Sequence, residues 1–248
     1  MNYSIENEIN KKLLSFYQSK WNQISAILSS NEKISYPLIL SVPDGYMESK
    51  TKLMVVGQQP YGWGFKKGVG RDSEWNSTKI LMQKYRDFNF GDKYIRTPFW
   101  QAVHELHNCL NPLGPANGFL WSNLIAIDEW DKRPQAVEES ICQLGLLSEE
   151  IKITQPDTIV FFTGPNYDER LGKTFNGLEL EKIDNNDSRK LAVVKHAFLP
   201  ARSFRTYHPN YLRRQNHWQY VNEIADLIKN GTRPDPRKEQ NERMPSLL

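Results

Sequence analysis

Residues 52–61, KLMVVGQQPY, set the frame for the whole chain. Leu53, Met54, Val55 and Val56 make a continuous apolar run, the pattern of a parallel strand buried on both faces. The run stops at Gly57, and two glutamines, a proline and a tyrosine follow at once. In an open α/β sheet, residues just past the carboxyl ends of the strands line the ligand crevice. Gly57 allows a close approach to the backbone there, and Pro60 stiffens the turn. Amides and a phenol in that place can hydrogen-bond a flat heterocycle and pack against it. An ordinary surface loop fits this decapeptide equally well, so the decision lies elsewhere in the chain.

Three further regions repeat the strand pattern. GFLWSNLIAI (residues 118–127) is broken only by Ser122 and Asn123, where the strand can end. DTIVFFT (157–163) runs into Gly164-Pro165-Asn166, and short runs at 191–195 and 204–207 are followed at once by His208-Pro209. Between them the spacing is helical. Leu13, Leu14, Tyr17, Trp21, Ile24 and Leu28 predict an amphipathic helix over residues 4–30, and others are expected at 77–86, 99–110, 135–153 and 216–229. Strands alternating with helices predict an α/β fold, a three-layer α/β/α sandwich around a central, mainly parallel, four-stranded sheet. The expected organisation is an N-terminal amphipathic helix (1–33) packed on one α/β domain (34–230), then a polar, disordered tail (231–248).

Bulk properties exclude several classes. At 248 residues the chain suits one full domain, and a composition 39% hydrophobic and 25% charged is ordinary for a globular protein. No apolar run approaches the roughly 18–20 residues of a membrane span. MNYSIENEINKK has no apolar core of a secretory signal, and two cysteines cannot build a disulfide framework. A cytoplasmic, monomeric protein without membrane partners is expected. The net charge of +3 speaks only weakly for nucleic acid.

Polar groups gather at the strand ends: Gln58 and Gln59 after the first, Asn123 on the second, His208 after the last. In a parallel sheet these ends open on one side. Here the chain resembles the uracil-DNA glycosylase superfamily over roughly residues 35–230. GQQPY is similar to that family's GQDPY, HPNYL (208–212) to its HPSPL, and FLWSNL to the strand that supplies a base-recognising asparagine. DTIVFFTG resembles the strand before the last motif. The resemblance implies a DNA-binding, DNA-repair hydrolase that flips uracil or a related base from single- or double-stranded DNA and excises it without metal or cofactor. On that likeness Asn123 would pair with the flipped base, Tyr61 would exclude a thymine methyl, and Gln58 would help to hold the base. His208 would donate a hydrogen bond to the departing base. Tyr211 or Leu212 would push into the stack, and Arg213 and Arg214 would grip phosphates. Asn123, Tyr61 and His208 are thus expected around one hollow sized for a pyrimidine.

The departures matter as much. Gln59 stands where the GQDPY branch orients water with aspartate, and an amide cannot take a proton. Gly62 replaces the histidine after PY. The base-stacking phenylalanine has no clear counterpart; Phe65 or Trp63 is the candidate. Two cysteines exclude an iron–sulfur cluster. A weak or inactive relative that binds nucleic acid or a nucleobase as a sensor is the alternative, and a nucleotide-binding α/β enzyme acting on a small molecule is a third reading. His104 and His107 lack a metal-binding HExxH spacing and suit packing, while Asp128, Glu129 and Asp131 read as a solvated loop.

Overall fold

The computed structural model describes residues 8–88, 91, 93–130, 132–183 and 187–230. Its strands are β1 (Leu53–Gly57), β2 (Phe65–Lys66), β3 (Gly70–Arg71), β4 (Phe119–Asn123), β5 (Thr158–Phe161), β6 (Glu179–Lys182), β7 (Leu191–Lys195) and β8 (Arg202–Thr206). β2 and β3 form a small hairpin, and the other six form one sheet in the order β4-β1-β5-β8-β7-β6. The first four strands of that order are parallel, as expected. β7 and β6 then extend the sheet antiparallel, so it is mixed and six-stranded rather than four-stranded. β6 escapes a hydrophobic reading because it is an edge strand of alternating charge, Glu179, Glu181 and Lys182 around one leucine.

The helices are α1 (Glu8–Ser30), α2 (Asp44–Glu48), α3 (Thr78–Asp87), α4 (Pro98–Leu110), α5 (Glu138–Cys142), α6 (Leu146–Thr154), α7 (Asp168–Thr174), α8 (Pro209–Arg214) and α9 (Gln219–Asn230). They cover both sides of the sheet. α4 packs with α8 and α9, whereas α1 packs with α3, α5 and α6. α1 belongs to the domain: buried Asn10 bonds both the amide and the carbonyl of Val42. The single helix expected over 135–153 is two, because Gly145 adopts φ +68° between α5 and α6, a conformation that ends a right-handed helix. The expected tail, 231–248, lies outside the described residues.

Every residue of β1 and β4 is buried. β4 is an edge strand, and the hydroxyl of Tyr85 on α3 closes that edge by bonding both the amide and the carbonyl of Trp121. Side chains alternate across the sheet along β4. The Trp121 ring meets Trp100 of α4, and Ser122 bonds Glu150 of α6. The glycine-rich loop after β1 is pinned rather than loose. Trp63 is buried against Trp75, Phe88 and Trp121, and Arg71 bonds the carbonyls of Leu28, Asn31 and Ile34.

Candidate active site at the carboxyl edge of the sheet

β1 and β4 run in register with Gly57 opposite Asn123. The Asn123 side chain lies over Gly57. A β-carbon at residue 57 would sit 2.4 Å from Asn123 Oδ1 and 3.6 Å from Cε2 of Phe99. Only glycine leaves room for that approach. Asn123 is 4% exposed, and its Nδ2 has no hydrogen-bond partner among the described residues. An unsatisfied buried donor costs about 1–3 kcal/mol, so a native one calls for a role.

Phe99 sits in the first turn of α4, with Pro98 at the opening position and the Thr97 hydroxyl accepting from Trp100 N. A helix that runs back before the next parallel strand begins at the sheet's carboxyl edge, which brings this ring to the site. It stacks on the His208 imidazole, centroids 5.6 Å apart and planes 20° apart, and its edge neighbours Gly57. Phe99 is therefore an aromatic ring at this site that the sequence reading did not single out. The Thr97-Pro98 helix start was the signal for it.

His208 follows β8 and caps α8: its Nδ1 accepts from Asn210 N at 3.3 Å. An accepting Nδ1 leaves the ring proton on Nε2. Burial pushes the imidazole down to about 4, so the ring is neutral at pH 7 and Nε2–H is its donor. His208 lines a cleft of about 260 Å³ with Gln58, Thr163, Asn166, Tyr211 and Arg214 among its walls. Gln58 Nε2 donates to Thr163 O at 2.8 Å, and the buried Thr163 hydroxyl has no partner among the described residues. Asn123 does not line this cleft; its side chain lies over Gly57 beside Phe99. Phe99 is the side chain that contacts both neighbourhoods.

Other expected residues lie as follows. Gln59 Oε1 accepts from Tyr167 OH at 2.6 Å, so its amide is tethered beside the cleft. Tyr61 is 84% exposed and lines a different hollow, so the expected single hollow of Asn123, Tyr61 and His208 does not form: neither Tyr61 nor Asn123 lines the His208 cleft. Phe65 lines that same second hollow and meets Trp130 edge-on, while Trp63 is core; neither replaces Phe99. Leu212 is fully buried and presents nothing to a base stack. Tyr211 stacks on Tyr207 at 4.2 Å at the cleft wall. Arg213 lies over Trp218 at 4.3 Å, and both arginines border a shallow groove next to the cleft with Pro98 and Asn210.

His104 stacks on Tyr94, and His107 Nε2 bonds the Pro115 carbonyl, so both serve packing. Asp128 is buried, not solvated, and accepts from Gly62 N at 3.0 Å; Asp131 lies outside the described residues. Among the described residues no group of three or more histidines, cysteines or carboxylates could hold a metal ion. No helix described is long and apolar enough to cross a membrane. Neither a known family model nor any curated protein matches the chain.

Proposed function

We propose that the protein is a DNA glycosylase-like hydrolase of the uracil-DNA glycosylase type, excising uracil or a related base. One observation carries this reading: a buried amide with an open N–H lies beside a phenylalanine that stacks on a neutral histidine. Asn123 would pair with the donor and acceptor edge of a flipped pyrimidine. Phe99 would offer the stacking face. His208 Nε2–H would bond the base oxygen as the C1′–N bond breaks and negative charge builds on the leaving base, while water adds to C1′ and gives up one proton to solvent.

A second reading, binding without turnover, is favoured by Gln59. Its oxygen is occupied by Tyr167, an amide cannot take a proton, and no described residue lining the His208 cleft is a carboxylate. One experiment separates the two: base release from single- and double-stranded oligonucleotides carrying one uracil, at excess enzyme. Free uracil with abasic product supports the hydrolase. Salt-dependent binding with no release supports the sensor.

A further inference from the structure

A second hollow, about 930 Å³, opens on the other side of the Gln59 loop. Three aromatic rings line it: exposed Tyr61 and half-buried Phe65 and Trp130. Lys33, Lys67 and Lys132 line it too, none in an ion pair among the described residues. Arg133 is the fourth cation there, held by Glu138, and Glu129 is the one carboxylate among the described lining residues. Lys67 Nζ lies 5.7 Å over the Trp130 ring. Trp130 itself has φ +53°, a left-handed conformation that strains a bulky residue. The paired backbone bonds between Glu129 and Lys132 hold that turn. Strain kept in a tight turn to present an indole beside unpaired lysines points to a ligand.

The two hollows are linked through Tyr167. The Arg133 guanidinium lies 5.1 Å from the Tyr167 ring, whose hydroxyl bonds Gln59, and Pro165 and Asn166 next to Tyr167 line the His208 cleft. We propose that the hollow binds single-stranded DNA, with two or more bases stacked on Tyr61, Phe65 and Trp130 and their phosphates on Lys33, Lys67 and Lys132. Unpaired bases expose the faces that such rings stack on, and a row of lysines follows a phosphodiester chain. Paired bases keep those faces hidden. Placing this strand beside the excised base rests on the function proposed above; the affinity of the hollow does not.

The test is anisotropy of a labelled oligothymidylate containing no uracil, single-stranded and as a duplex, over a range of salt. Trp130→Ala should weaken single-strand binding about 5- to 100-fold and leave the duplex unchanged, with Trp130→Phe retaining most of the affinity. Lys67→Ala with Lys132→Ala should lower the single-strand salt slope by about 1.4. The melting temperature of each variant reports folding, and Trp130→Phe remains the probe if the alanine variant unfolds. Unchanged affinity and slope, or equal losses on duplex, overturn the proposal. So does displacement of the oligomer by equimolar thymidine monophosphate, which marks a small-molecule site, or by polyglutamate at matched charge, which marks an acidic-protein site. A protein that releases no uracil yet passes these tests loses the hydrolase reading and keeps this one. Uracil release that persists while these variants bind normally does the reverse.

Discussion

Ser122 and Asn123 are neighbours on one strand, both buried, and their side chains meet opposite outcomes. Ser122 Oγ donates to Glu150 Oε2 at 2.6 Å; Glu150 Oε1 takes the Tyr17 hydroxyl at 2.7 Å, and that hydroxyl accepts from Leu40 N at 3.1 Å. On that face each polar group has a partner. One residue later, on the face toward α4, the Asn123 amide nitrogen has none among the described residues. Burial is the same, so burial does not separate the Ser122 hydroxyl from the amide proposed to bind a base. Completion of hydrogen bonds does.

The comparison breaks most visibly at Glu150. Glu150→Ala leaves the Tyr17 and Ser122 hydroxyls without their acceptor and opens a cavity between α1, α6 and β4. Chemical denaturation should show a loss of about 3–5 kcal/mol. Base release per folded molecule should not change. If the variant is as stable as the parent, the closed network contributes nothing and the contrast fails.

Asn123 should behave in the opposite way. Asn123→Ala is expected to leave the melting temperature unchanged or to raise it slightly, because it removes an unsatisfied donor. It should slow single-turnover uracil release about 100- to 1,000-fold, as loss of one preorganised donor does. His208→Ala should cost about as much, and single-turnover kinetics on the two variants checks both. Full activity in either would separate the open amide from the chemistry.

A third test uses pH. Burial pushes the Glu150 carboxyl up to about 7, against an ordinary value of 4.5. The folded state therefore holds a proton that the unfolded chain releases. Stability from this group is fully present below pH 4.5 and is lost as pH rises through 7. Glu150→Gln keeps both hydroxyl partners and removes the titration. Its advantage over the parent should grow between pH 5 and pH 8 by something on the order of 2–3 kcal/mol, measured by denaturation at each pH. His208 has the reverse sign. Its folded value, about 4, lies below the ordinary 6.5, so stability is lost as pH falls between those limits. A difference that stays flat from pH 5 to pH 8 would mean that Glu150 is ionised in the fold.

How much of this the amino-acid sequence discloses follows from what its signals report. β1, β4 and β5 are legible as short apolar runs between turn residues, because strands buried on both faces must be apolar throughout. β6 is not, since an edge strand needs no such run. Asn123 and His208 are legible as polar residues at strand ends, where topology gathers them. The partner of each is not legible. Tyr167 on Gln59 and Glu150 on Ser122 join residues far apart in sequence, and no local pattern carries such pairings. Tyr61 and Phe65 mislead for a related reason. They lie in or just after the motif, yet both line the basic hollow and neither lines the His208 cleft.

Gln59 places the last test on the boundary between the two kinds of group. Its oxygen is satisfied by Tyr167, as Ser122 is satisfied by Glu150, so its amide resembles the structural class. Glutamate has the same length. In Gln59→Glu one carboxylate oxygen can keep the Tyr167 bond while the other replaces the amide nitrogen with a group able to accept a water proton. Should that end of the side chain face the attacking water, single-turnover uracil release rises, up to about tenfold. The gain should appear as a sigmoid in pH that follows ionisation of the new carboxyl, with DNA affinity unchanged. A rate that stays flat, with the Tyr167 bond intact in a structure of the variant, would assign Gln59 wholly to the scaffold. Asn123 and His208 would then remain as the groups proposed to act on the base.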